Sequence, residues 1–176
     1  MTAAKLDLAA IVRRVPNFPK PGILFYDIST VLADPVAWRA AVDRMDRLVD
    51  AWQPDLLAGI ESRGFLFAAA LAYRSGRGLV MVRKVGKLPG AVVSHSYDLE
   101  YGSDTLQVSE GLVPPGARTV LVDDLIATGG TAKAAVTLLG KVGAEVVGAA
   151  FFIELQGLGG VERLGVPARS LLHLQG

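Results

Sequence analysis

Two carboxylates stand side by side at Asp123 and Asp124, closing the apolar run Val120-Leu121-Val122, and Ala127-Thr128-Gly129-Gly130-Thr131 follows shortly after. The second segment has the makings of an anion site. Its glycines let backbone N–H groups approach, its threonine hydroxyls donate, and the helix it opens adds partial positive charge. It has neither the Walker A spacing nor GxGxxG. The plainer reading is a strand-to-helix turn capped by Thr128 or Thr131. The acidic pair can likewise close a turn or lie on a solvated edge, but beside an anion cradle it would repel a bare phosphate. A phosphorylated sugar removes that conflict, because carboxylates accept hydrogen bonds from vicinal hydroxyls, directly or through a metal.

Cations recur at two further places: Arg63 in Glu61-Ser62-Arg63-Gly64, and Arg83, Lys84 and Lys87 in RKVGK. Singly, Arg83 and Lys84 read as the surface end of a strand. Together with the first anion site they suggest a second anionic group, so one ligand with two phosphate-type ends and a diol between them accounts for all the parts. Glu100 and Tyr101, in SYDLEYG, fall on a polar stretch whose Gly86, Gly90 and Gly102 would let it close like a lid. Phe25 and Leu125 flank these polar groups, as core or as one wall of a slot for a flat base. His95 and His173 receive no role.

The elements that must position these groups follow from periodicity. Leu8, Ile11, Val12 and Val15 predict a helix over about 5–15, stopping before Pro16. FPKPGILFYD, rich in proline, predicts an extended, sharply shaped loop rather than a regular element. Asp34-Pro35 opens a helix with the buried stripe Trp38, Val42, Met45 and Val49. Strands are expected at 55–60, 79–84, 118–124 and 145–155. Helices are expected after ESRG and after TGG, and a flap or hairpin between the second and third strands. Such alternation implies an α/β fold, a parallel sheet covered on both faces, with ligands at the carboxyl ends of the strands.

Composition narrows the chemistry. The chain has 176 residues, suited to a single domain over 1–176, and 18 Lys plus Arg against 17 Asp plus Glu leave a net charge of +1. That balance argues against nonspecific nucleic-acid or membrane-surface binding. With no cysteine and two histidines, thiolate chemistry is excluded and a histidine triad has little to draw on. A metal, if used, is a hard oxygen-bound one such as Mg²⁺. The N-terminus carries Asp7 and two arginines where a secretory signal would be apolar, and no apolar run reaches about 18 residues. A cytoplasmic protein is expected.

At this point the residues resemble a known family. VLVDDLIATGGT is similar to the phosphoribosyl diphosphate (PRPP) motif of type I phosphoribosyltransferases. FPKPGILFYDIS, ESRGFLFAAALA, RKVGKLPG and SYDLEYG, in this order, resemble the adenine-using branch. The resemblance covers about residues 8–155. It implies the type I fold, with a small N-terminal hood over about 1–33 and a flexible flap over about 86–110. It further implies that Ala127, Thr128, Gly129, Gly130 and Thr131 hold the 5′-phosphate and that Asp123 and Asp124 address the ribose hydroxyls. Arg63 would meet pyrophosphate together with Arg83 and Lys87, some of them from a second subunit of a homodimer, and Lys84 is a further substrate-binding candidate. Leu24, Phe25 and Leu125 would line the adenine slot, and Glu100 with Tyr101 would sit on the flap, Glu100 near the reacting base.

The implied reaction joins adenine and PRPP to give AMP and pyrophosphate in purine salvage, with Mg²⁺ carried mainly on PRPP and possible contacts from Asp123 and Asp124. Glu100 and Arg63 are the catalytic candidates. Two departures stand out: Tyr26 occupies a place where relatives often carry a basic residue, and Glu61 replaces the aspartate of DSRG. A hypoxanthine- or xanthine-using enzyme is the nearest alternative. A PRPP-responsive regulator would need a nucleic-acid-binding module or basic face, and a phosphoacceptor domain would leave TGGT and the flap unexplained.

Overall fold

Residues 6–98 and 102–176 are described by the computed structural model. A short N-terminal segment contains α1 (Leu8–Ile11), β1 (Arg13–Pro16), β2 (Leu24–Asp27) and α2 (Ser29–Ala33). There follow α3 (Pro35–Asp50), β3 (Leu56–Ile60), α4 (Gly64–Ser75) and β4 (Gly78–Lys84). A hairpin of β5 (Val92–Asp98) and β6 (Ser103–Ser109) comes next, then β7 (Arg118–Ile126), α5 (Gly130–Lys141), β8 (Glu145–Gln156) and β9 (Ala168–Gln175).

Seven strands form one sheet in the order β5-β6-β4-β3-β7-β8-β9, and β1 and β2 make a separate antiparallel pair. The run from β4 to β9 is parallel, while β6 joins β4 antiparallel and pairs with β5 as a hairpin. Every residue of β3 is buried, as a strand covered on both faces requires. Leu57, Val120, Val122, Ala150 and Phe152 face α3 and α4, whereas Leu56, Ala58, Leu121, Ala149 and Phe151 face α5. Phe67 of α4 stacks on Phe152 and meets Trp38 edge-on, with centroids 5.0 Å apart in both pairs. No helix among the described residues is long and apolar enough to cross a membrane.

α3 begins where expected. Asp34 caps it, its carboxylate accepting from Val36 N at 2.8 Å and Ala37 N at 3.0 Å, and Pro35 occupies the first turn. The first helix is shorter than its apolar spacing predicts. Leu8 and Val12 are buried, but Val12 is already extended, and Arg13 to Pro16 pair with Asp27 to Leu24. Cross-strand pairing there overrides the helical period. The prolines keep residues 17–23 irregular, with a cis Phe18–Pro19 bond, yet Leu24–Asp27 is a regular strand rather than loop.

Candidate active site

Three parallel strands, β4, β3 and β7, end together, and the chemistry-bearing segments are their continuations. Past β3 the chain runs through Glu61, a cis Glu61–Ser62 peptide, Ser62 and Arg63 into α4. Gly64 is needed there: a Cβ would stand 2.5 Å from Asp123 Oδ1 and 3.0 Å from the Val122 carbonyl. Its absence lets the start of α4 rest against β7 and carries Arg63 over the acidic pair.

Past β7, Ala127, Thr128 and Gly129 turn the chain into α5. Gly129, the N-cap of α5, has φ +80° and supplies no side-chain cap, in contrast to Asp34 on α3. The first-turn N–H groups therefore remain for a ligand, at the positive end of the helix dipole. The turn is held from behind by Gly160. A Cβ on either Gly129 or Gly160 would run into the backbone opposite, at Gly160 and Ala127 respectively. The two loops thus meet backbone against backbone.

Between these segments lies a cleft of about 630 Å³. It brings together Arg63, Lys84, Asp123, Asp124 and Leu125 with the whole stretch Ala127, Thr128, Gly129, Gly130 and Thr131. Arg63 Nε lies 2.8 Å from Asp124 Oδ2. Oδ2 itself is buried and has no hydrogen-bond partner among the described residues, so the contact is an ion pair without hydrogen-bond alignment. The same guanidinium stands 5.2 Å above the Phe25 ring. Loss of water, and then the neighbouring Asp124 charge, hold the Asp123 carboxyl well above its usual range. Burial also raises Asp124, against the opposing pull of Arg63.

Other predicted residues are placed differently. Arg83 turns to Glu61, with Nε 3.0 Å from Oε2, donates to the Lys87 carbonyl at 3.0 Å, and covers the Phe65 ring. Arg83 and the exposed Lys87 thus fall outside the cleft lining formed by this chain. Leu24 is 42% exposed on β2 beside Phe25. Glu100 and Tyr101 lie outside the described residues.

Both departures acquire a structural account. Glu61 binds Arg83 and also accepts from the Lys84 N–H at 3.0 Å, so it holds β4's cationic end against β3. Tyr26 is buried, and its hydroxyl donates to the Gln175 carbonyl at 2.9 Å, anchoring β2 to the last strand. Tyr97 has no individual role within the SYDLEYG motif read from the sequence, and Asp104 and Gly160 drew no attention there. Tyr97 and Asp104 oppose each other in the hairpin, and Tyr97 reaches Thr131 at 3.2 Å, a contact only strand register reveals.

Comparison with known proteins accords with this geometry. A model of the phosphoribosyl transferase domain matches residues 35–163. An adenine phosphoribosyltransferase of Rhodospirillum rubrum is 62% identical over 95% of this chain and 98% of its own length. The chain belongs to the adenine phosphoribosyltransferase family. A second member, from Gluconacetobacter diazotrophicus, is 58% identical over 98% of both chains. Among solved structures, the Saccharomyces cerevisiae family member, complexed with an imino-altritol bisphosphate and adenine, superposes with a TM-score of 0.90 at 38% identity. That match covers 94% of this chain and 96% of the other. The fold class expected from the sequence, an α/β type I phosphoribosyltransferase sheet, is therefore the observed one.

Proposed function

We propose that the chain transfers the 5-phosphoribosyl group of PRPP to N9 of adenine, giving AMP and pyrophosphate in purine salvage. The observation that carries this reading is the acidic pair of half-buried Asp123 and buried Asp124 beside the uncapped start of α5, in one cleft with Arg63 and Lys84. A lone phosphate site would not tolerate the carboxylates, and a lone cation site would not need the cradle. The yeast relative's bisphosphate and adenine ligands support the same pairing of donor and base.

The 5′-phosphate is assigned to Ala127–Thr131 and the ribose hydroxyls to Asp123 and Asp124. Asp124 Oδ2, without a hydrogen-bond donor, fits a hydroxyl. Arg63 then exchanges its carboxylate for the pyrophosphate, joined by Lys84. The base sits against Leu24, Phe25 and Leu125, under the N-terminal segment. Bond making is C1′ to N9 and bond breaking is C1′ to the diphosphate oxygen, with positive charge building on the ribose ring between them. The cations stabilise the departing diphosphate. Glu100 and Tyr101 are assigned to the flap, which excludes water from the oxocarbenium-like centre, and Glu100 takes the N9 proton.

Mg²⁺ fits the hard-oxygen character of Asp123 and Asp124. No group of three candidate ligand side chains occurs among the described residues, so the diphosphate and water must supply most of its ligands. Bound there, it neutralises diphosphate charge. A homodimer completes the site. Leu66, Met81 and Val85 are exposed large apolar side chains along α4 and the end of β4, flanking Arg83. A second copy on this face would bring its Arg83 and Lys87 toward the pyrophosphate. The protein is assigned to the cytoplasm, consistent with a chain free of cysteine.

Incubation with PRPP, Mg²⁺ and each purine tests the reading. AMP formation from adenine is expected to exceed product formation from hypoxanthine or guanine by orders of magnitude. Faster turnover of either oxopurine would overturn the substrate assignment. Met81→Glu should give monomers by light scattering and lose PRPP turnover with them.

A further inference from the structure

A line of polar contacts crosses the mouth of the cleft and is not explained by ligand binding alone. Lys84 Nζ lies 2.9 Å from Asp104 Oδ2. Asp104 is the cross-strand partner of Tyr97 in the hairpin. The Tyr97 hydroxyl is 3.2 Å from Thr131 Oγ1, on the first turn of α5. Lys84 and Thr131 both line the cleft, one at the end of β4 and the other in the phosphate cradle. Thr131 has no capping duty, so its hydroxyl is free to serve this contact. The Tyr97 ring packs against the apolar cluster under α5, which fixes where its hydroxyl points.

We propose that Tyr97 and Asp104 are positioning residues, forming a strut from Lys84 to Thr131 that holds the two anion-binding ends of the cleft at the separation one PRPP molecule spans. The idea rests on the functional reading above. Its chemistry is directional. When the Tyr97 O–H donates to Thr131 Oγ1, the Thr131 hydrogen is left to point at a phosphate oxygen. At the other end Asp104 takes one of the three Lys84 donors and fixes the ammonium, leaving two for the diphosphate. A hydrogen bond from Lys84 holds the Asp104 carboxyl below its usual value, so the strut stays ionised at neutral pH. Its members come from β4, both hairpin strands and α5. Preorganisation of this kind lowers the ordering cost of binding without adding a ligand contact.

The test is calorimetric titration of the full-length protein with PRPP and Mg²⁺, alongside steady-state kinetics, for wild type, Tyr97→Phe, Asp104→Asn and the double variant. Tyr97→Phe keeps the ring packing and removes one oxygen, and Asp104→Asn serves as an independent probe at the other link. Each single variant is expected to raise the PRPP Kd about three- to tenfold, the range of one hydrogen bond. Turnover at saturating PRPP should stay within about twofold, since neither residue touches the reacting atoms. The double variant should lose little more than the worse single one, because breaking either link already releases the strut. An unchanged Kd in Tyr97→Phe, or losses that multiply in the double variant, would overturn the strut while leaving the functional reading intact. Absence of PRPP binding by the wild-type chain would remove that reading and the strut with it.

Discussion

At the β7–α5 end of the cleft the proposed ligand contacts are mainly backbone, locked by Gly129 against Gly160 and by Gly64 against Asp123. On the opposite side the proposed base slot consists of side chains on β2, in a two-stranded pair outside the main sheet. Leu24 there is 42% exposed and Phe18 51%, whereas Asp124 is 5% exposed. The donor half is thus built on the main sheet, and the acceptor half is a separate strand pair joined to it through the buried side chains Leu8, Val12, Tyr26 and Ile28. Damage to the first should weaken PRPP use at little or no cost in stability, and damage to the second should act through the anchor.

The largest effect is expected from Asp124→Asn. Loss of the carboxylate assigned above to the ribose hydroxyls should lower kcat/KM for PRPP by about 100-fold or more, about 3 kcal/mol of transition-state binding. Asp123→Asn sharpens the contrast by moving stability the other way. Its folded carboxyl titrates well above the unfolded value of 3.8, so ionisation costs stability progressively as pH rises through that window. The unfolding midpoint of Asp123→Asn should therefore match wild type near pH 3.5 and exceed it at pH 7. A lower midpoint at pH 7 would mean that the pair stabilises the fold rather than serving the ligand.

Gly160→Ala comes next. A methyl there meets the Ala127 carbonyl and Ile126 Cγ1, so the proposed phosphate loop must shift. The PRPP KM should rise about tenfold, while the adenine KM at saturating PRPP changes little. Equal losses for both substrates would show that the two halves are not separately built.

Much of the donor half was legible because its signals are local. Asp34-Pro35 announced α3, the acidic pair and TGGT lie within nine residues, and Gly64 sits inside its own motif. The rest depended on contacts far along the chain. Tyr26 was uninterpretable until its hydroxyl was seen on Gln175, 149 residues away. Val12 and Val15 keep helical spacing, yet Val15 opposes Phe25 in a strand. Gly160 reads as one glycine of a turn until Ala127 and Gly129 are packed against it. Tyr97 and Asp104 meet only once the hairpin register is set.

Tyr26→Phe probes the anchor of the acceptor half. It removes one hydrogen bond to the Gln175 carbonyl and should cost about 1 kcal/mol, lowering the melting midpoint by about 2–4 °C. The adenine KM should rise modestly, by about two- to threefold, through looser placement of Phe25. A large loss of adenine affinity with an unchanged melting midpoint would instead make Tyr26 a direct base contact.

The smallest effect is expected at Asp27, which closes the same segment. Hydrogen bonds from Ser29, then from Arg13, lower its carboxyl from 3.8 to about 2. A depressed folded pKa means that the ionised form stabilises the fold: the contribution is complete above pH 3.8 and disappears as pH falls through about 2. Asp27 Oδ1 accepts from Ser29 N at 2.8 Å, at the entry to α2, and Oδ2 pairs with Arg13 across β1 and β2. Asp27→Asn should therefore reduce the urea midpoint slightly at pH 7, and the gap from wild type should close between pH 4 and pH 2. PRPP binding at pH 7 should be unaffected, because these contacts all lie on the acceptor side. A gap that persists at pH 2 would show that amide geometry, not charge, holds β1 to β2.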